Sequence, residues 1–60
     1  MTKIIMFLEP YKGQVVPIGR LQRLIMENIG STERTLEESL KTMIQFELVR
    51  EVESFQFLVI

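Results

Sequence analysis

The sequence predicts a small α+β domain, mainly helical, in which three helices pack against a short C-terminal β-hairpin. Three observations support this fold class. Apolar residues recur at helical spacing from Leu36 to Leu48, which predicts a long amphipathic helix. A second apolar stripe, from Ile18 to Ile29, predicts another helix before it. Residues 47–60 are rich in β-branched and aromatic side chains, which favours strands.

The third helix is the element around which the rest of the chain is organised. Ser31 is a favoured N-cap residue and follows Gly30, a natural turn residue, so the helix is expected to begin there. Glu33 in the first turn suits the positive end of the helix dipole. We expect the helix to end near Phe46. The predicted core combines apolar positions of the second and third helices: Leu21, Leu24, Ile25, Leu36, Leu40, Ile44 and Leu48.

The first segment, residues 2–9, is predicted to form a short helix that Pro10 ends, because a residue before proline avoids the helical region. A strand remains the alternative, since the apolar run from Ile4 to Leu8 has no clear period. Gly13 is expected to adopt a positive φ in the turn that follows.

A two-residue β-like piece, Val15-Val16, precedes the second helix, which should run from about Ile18 to Asn28 with Pro17 in its first turn. Two strands are predicted at 47–52 and 55–60. The bend between them lacks the Asn-Gly or Asp-Gly of a tight hairpin, so a loop wider than two residues is expected. Alternation in the last strand assigns one face to Phe55, Phe57 and Val59, and the other to Leu58 and Ile60.

Composition limits the functions that this chain can perform. Sixty residues make one domain, 1–60, near the lower limit for folding alone. The chain has no Cys, His or Asp, which removes the usual zinc ligands, general bases and magnesium ligands. We therefore expect no enzyme activity, cofactor, metal or small-molecule ligand. The apolar run of residues 4–8 is too short to span a bilayer and lacks a cleavage site, so a cytoplasmic location is expected.

The order of helix, short strand, helix, turn, helix and hairpin resembles that of winged helix-turn-helix DNA-binding domains. Residues 7–14, FLEPYKGQ, look like the end of a first helix and its loop, and residues 15–18, VVPI, resemble the short strand that leads into the second helix. Residues 30–36, GSTERTL, resemble the start of a recognition helix. Residues 46–50, FELVR, look like the end of that helix and the first wing strand, with Phe-Glu where many relatives carry Gly.

The resemblance implies that the third helix enters the major groove of double-stranded DNA while the second lies across the backbone. With Leu36 facing the core, a rotation of roughly 100° per residue turns Arg34 and Lys41 outward. Arg34 would read a guanine, and Glu38 would either accept from cytosine or repel the backbone. Ser31 or Thr35 would hold phosphate. The implied DNA-binding residues are Arg20, Arg23, Ser31, Arg34, Thr35, Glu38, Lys41 and Thr42.

Two departures weaken the expected hold on phosphate: Arg50 is the only basic residue of the wing, and acidic residues outnumber basic ones on the third helix. The first functional hypothesis is a homodimeric transcriptional regulator. The alternative is a protein-interaction module that docks through its apolar C-terminal strand, with the outer face of the third helix an ordinary solvated surface. The dimer is expected to form through the free edge of the last strand or through the first helix.

Overall fold

The computed structural model of the chain describes residues 2–60, which form three α-helices and a three-stranded antiparallel sheet. The helices are α1 (Thr2–Leu8), α2 (Ile18–Asn28) and α3 (Glu33–Gln45), and one 3₁₀ turn, Glu9–Tyr11, follows α1. The strands are β1 (Val15–Pro17), β2 (Val49–Glu53) and β3 (Gln56–Val59). Because 58% of the structure is helical, the α+β, mainly α class predicted from the sequence is confirmed.

The last strand, β3, is the middle strand of the sheet, whose order is β1-β3-β2. It pairs with β1, where Phe57 lies opposite Val16, and with β2, where Val59 lies opposite Val49. The expectation that the last strand presents a free edge is therefore wrong. The prediction failed because the short strand β1, which lies far away in the sequence, pairs with this edge of β3. No local pattern in the sequence reveals that pairing.

The edges of the sheet are poor templates for a further strand. On β1, Pro17 has no N–H to donate. On β2, the amide of Ile60 donates to the carbonyl of Leu48 at 3.0 Å, so the antiparallel alternation leaves only the backbone groups of Val49 and Glu51 on the free side. A register shift between Glu51 and Glu53 marks a bulge there, and bulges and charges both discourage edge pairing.

The core lies between the helices and the inner face of the sheet. Leu21 and Ile25 of α2 are fully buried, as predicted, together with Met43 of α3. The other buried apolar residues come from α1 and the sheet: Ile4, Phe7, Leu8, Val16, Val49, Phe57 and Val59. Four predicted core residues, Leu24, Leu36, Leu40 and Leu48, are only partly buried and pack against this cluster.

Ile44 is the one predicted core residue that the structure contradicts, since 49% of it is exposed. The buried face of α3 is centred between Ser39 and Met43, both of which are buried. Ile44 lies roughly 120° around the helix from that centre. The periodicity of apolar residues cannot reveal which face of α3 is buried, because one of the two buried residues is a serine, Ser39.

The first segment is a helix, which decides against the strand alternative, and α2 has the predicted bounds. Gly13 has the expected positive φ, +80°. The hairpin loop was predicted too wide, because only Ser54 and Phe55 separate the paired residues of β2 and β3. Phe55 has a φ of +61° and is exposed, so it lies in the turn and does not join the buried face of β3.

α3 ends in a left-handed cap that turns the chain into β2. The N–H of Leu48 donates to the carbonyl of Met43 at 2.8 Å, and the N–H of Glu47 donates to that of Ile44 at 3.1 Å. Glu47 has a φ of +57°, a left-handed conformation that glycine usually adopts at the end of a helix. Leu48 then packs against the core that contains Met43. This cap fixes the angle at which the sheet leaves α3.

Glu47→Gly should raise the free energy of unfolding by about 1 kcal/mol, because it removes the cost of a side chain in the left-handed region. Glu47→Ala is the matched control, since it also removes the carboxylate but keeps the Cβ atom. Urea denaturation of both variants measures the effect. An equal change in the two variants would show that the charge, and not the backbone conformation, sets the stability here.

Candidate nucleic-acid interface

The first turn of α3 is capped by Thr32 and not by Ser31, so the predicted N-cap is wrong by one residue. The Thr32 hydroxyl accepts from the N–H of Thr35 at 3.2 Å and donates to the Thr35 hydroxyl at 2.8 Å. Ser31 lies exposed before the helix. Capping propensity ranks serine above threonine, so the path of the turn between α2 and α3, and not residue type, selects Thr32. Of the predicted phosphate contacts, Ser31 has its hydroxyl free of this cap and Thr35 does not.

Gly30 lies close to the first turn of α3. A Cβ atom at that position would lie 3.4 Å from Cγ2 of Thr35, at the near limit of ordinary van der Waals contact. The four residues between α2 and α3, 29–32, thus fold back on the first turn of α3 and hold it beside α2.

The outer face of α3 carries the side chains that were predicted from the sequence to face outward. Arg34, Glu38 and Lys41 are exposed, whereas Thr35 and Thr42 are half-buried at the margin. The Thr42 hydroxyl donates to the carbonyl of Glu38 at 2.9 Å, inside its own helix. The predicted residues of α3 therefore divide into three charged side chains that face solvent and two threonines whose hydroxyls have partners in α3 or at its N-cap.

Arg34 and Glu38 form an ion pair across one helical turn, with Nε of Arg34 3.0 Å from Oε1 of Glu38. The two side chains are 87% and 65% exposed. A pair so open to water contributes at most about 1 kcal/mol, so the guanidinium can exchange this partner for another at low cost. The pair nevertheless fixes a negative charge beside the side chain expected to read a base.

The two arginines of α2, Arg20 and Arg23, are exposed. Within residues 2–60 side-chain ion pairs form only between Arg34 and Glu38 and between Lys12 and Glu9, so neither arginine is neutralised there. Charge is divided unevenly along the chain: residues 2–30 hold four basic and two acidic side chains, and residues 31–60 hold three basic and six acidic ones. The electropositive part of the molecule is thus α2 and the segment before it, more than α3.

A small open cleft lies beside Arg20, between β1 and the start of α2. Its volume is about 150 Å³, and Tyr11 and Gln14 line it together with Arg20. A phenol, an amide and a guanidinium can all donate hydrogen bonds to a phosphate oxygen. Neither Tyr11 nor Gln14 stands out in the sequence, because no local pattern shows that their side chains lie next to Arg20.

The hairpin of β2 and β3 offers little to a polyanion. Its one basic side chain, Arg50, is accompanied by Glu51 and Glu53. The carboxylate of Glu51 accepts from the N–H of Phe55 at 3.1 Å, which fixes the hairpin turn. This carboxylate therefore serves the hairpin itself and adds negative charge where a wing would approach DNA.

Comparison with known proteins gives no match to a family model, a curated protein or a solved structure. None of the helices within residues 2–60 is both long and apolar enough to cross a membrane. The same part of the chain contains no group of three acidic, His or Cys side chains arranged to hold a metal ion.

The reassigned helix cap can be tested by two neighbouring substitutions. Thr32→Ala should lower the free energy of unfolding by about 1 kcal/mol, because it leaves the Thr35 N–H without its side-chain acceptor. Ser31→Ala should change it by less than about 0.5 kcal/mol, as expected for an exposed residue with no special contact. Thermal denaturation followed by circular dichroism measures both. The reverse order of effects would restore Ser31 as the cap.

Proposed function

We propose that this chain is a winged helix-turn-helix protein that binds double-stranded DNA through α3 and acts as a transcriptional regulator. The observation that carries the proposal is the exposed charged face of α3, with Arg34 and Lys41, together with the exposed arginines of α2, which form no ion pair within residues 2–60. No part of residues 2–60 covers either surface, so both are free to meet a ligand.

The architecture supports this function. The element order is the one expected from the resemblance: helix, short strand, helix, turn, helix and hairpin. Four residues, 29–32, connect α2 to α3, which is the length of turn typical of a helix-turn-helix unit. In such a unit the second helix enters the major groove and its first residues meet the base edges.

The spacing along α3 also suits a groove. Arg34 and Lys41 are seven residues apart, so they lie on one face with a rise of roughly 10 Å between their backbones. Arg34 near the start of the helix would contact a base edge, since a guanidinium can donate two bonds to guanine. Arg20 and its cleft would hold a backbone phosphate.

The acidic side chains set the expected strength of this binding. One copy supplies only a few phosphate contacts, and Glu33, Glu37 and Glu38 oppose them on the same helix. Because phosphate neutralisation dominates non-specific affinity, a single domain should bind weakly and mainly at low salt. Discrimination among sequences would then depend on few direct contacts.

The roles of two arginines can be separated by titration against duplexes of varied sequence. Arg34→Ala should cost about 1–3 kcal/mol and relax preference at one base position. Arg23→Ala should instead weaken binding to all sequences alike and lower the salt slope by about one. Fluorescence anisotropy over a series of salt concentrations gives both quantities. An absence of salt-dependent affinity for any duplex at low ionic strength would reject the DNA function.

Glu38 tests the geometry of the face itself. Glu38→Gln frees Arg34 and should tighten binding more than Glu37→Gln, which removes the same charge from the same helix without breaking an ion pair. In an Arg34→Ala background the advantage of Glu38→Gln should vanish, because contacting residues are not additive. If Glu38 instead accepts from cytosine, Glu38→Gln will loosen binding and the readout by Arg34 must be reassigned.

A second function, docking onto another protein, is favoured by one observation: several apolar side chains are exposed, among them Ile5, Ile44 and Ile60. Docking by strand addition to β3 has no structural support, because both edges of β3 are already paired. An interaction module would have to use the exposed isoleucines.

A further inference from the structure

Two shallow grooves meet at the side chain of Ile60. The first, of about 190 Å³, lies between α1 and the sheet and has Ile5 and Leu48 in its lining. The second, of about 220 Å³, lies between the end of α3 and β2 and has Ile44 in its lining. Ile60 lines both grooves, and the two together are here called the Ile60 face.

The Ile60 face is apolar at its centre. Ile5 belongs to α1, Ile44 belongs to α3 and Ile60 follows β3, and the three are 47%, 49% and 50% exposed. Monomeric proteins rarely leave a contiguous group of large aliphatic side chains in water, and such groups mark interaction sites. No segment of residues 2–60 covers these three side chains.

Each end of the Ile60 face carries side chains of both charge signs, which a second copy can match. Glu9 and Lys12 line the first groove, and Glu47, Arg50 and Glu51 line the second. A twofold axis near Ile60 would lay the first groove of one copy on the second groove of the other. Lys12 would then meet the two glutamates of the partner, and Glu9 would meet its arginine. In this arrangement the charged rim of the face is complementary to itself.

We propose that the Ile60 face joins two copies of this chain in a symmetric dimer, with the isoleucines at its centre and the Glu9–Arg50 and Lys12–Glu51 contacts at its rim. Isologous contact of one patch with itself is the commonest symmetry of soluble oligomers. Arg20, Arg34 and Lys41 line neither groove, so this dimer leaves the proposed DNA-binding residues free.

A contact of standard size would occupy a large share of the surface of this small molecule. A standard interface buries about 800 Å² on each partner, which is roughly a fifth of the 4330 Å² surface of this chain. A domain near the lower size limit gains much of its apolar burial in this way. The Glu9–Lys12 pair, at 4.0 Å and with both side chains exposed, can exchange partners across the interface at little cost.

Sedimentation equilibrium without DNA tests the proposal independently of the proposed function. The unmodified chain should show a monomer–dimer equilibrium in the micromolar range, and Ile44→Glu should shift it fully to monomer. Met26→Glu is the matched control, because Met26 is also 49% exposed on a helix but lines neither groove. Circular dichroism should show both variants folded, since neither position is in the core.

A charge exchange tests the arrangement of the rim. Glu9→Lys and Arg50→Glu should each weaken dimerisation by about tenfold, because each sets like charges against each other twice in the dimer. The double variant should recover most of this loss. A monomer at every concentration, an Ile44→Glu variant that still dimerises, or a double variant no better than the singles would overturn the proposal. The first of these outcomes would leave the Ile60 face to a partner of another kind.

Discussion

The position of β3 between β1 and β2 is the constraint on which the rest of the structure depends. Its backbone bonds to both neighbours: the N–H of Val59 donates to the carbonyl of Gln14 at 2.9 Å, and Ile60 is bonded to the residue that precedes β2. Because β3 is paired on both sides, Phe57 and Val59 pack against the helices, and both are buried. The sheet can cover the helical layer only because its last strand enters the middle.

The same arrangement decides which surfaces remain. Because β3 has no free edge, further association through the sheet would have to use β1, which is short and ends at Pro17, or β2, which is bulged and charged. Binding to another molecule must therefore use side-chain surfaces, and the two main ones differ in polarity. The arginines and lysine of α2 and α3 make a hydrophilic surface, and the meeting of α1, α3 and the sheet makes an apolar one.

Local patterns predicted the elements and long-range pairing decided their surroundings. Helical spacing located α2 between Ile18 and Asn28, and the requirement for positive φ identified Gly13. The rotation of α3 depended on Ser39, whose burial follows from packing and not from its hydrophobicity. Likewise β3 has one partner, β1, that lies about forty residues away in the sequence, and another, β2, that is separated from it by a turn of two residues. Only the pairing with β2 leaves a turn signal in the sequence.

The candidate interface was predictable to a similar degree. Exposure of Arg34 and Lys41 followed from their position on the helix, because outward rotation is a local property. The choice of Thr32 over Ser31 as cap, and the cleft that joins Tyr11 to Arg20, did not follow, because each depends on how one segment is directed against another. The ion pair between Arg34 and Glu38 was predictable only in part. Its i,i+4 spacing is visible in the sequence, but its geometry is a property of the folded surface.

The shortness of β1 has a consequence for how this domain comes apart. β2 and β3 are joined by a two-residue turn and can re-form locally, whereas β1 must close a loop of about forty residues to regain its place. Local unfolding should therefore release β1 first. Its departure would convert one side of the central strand into an exposed edge next to Phe57 and Val59, with neither proline nor bulge to protect it. Aggregation of this protein would begin there, from a molecule that is otherwise still folded.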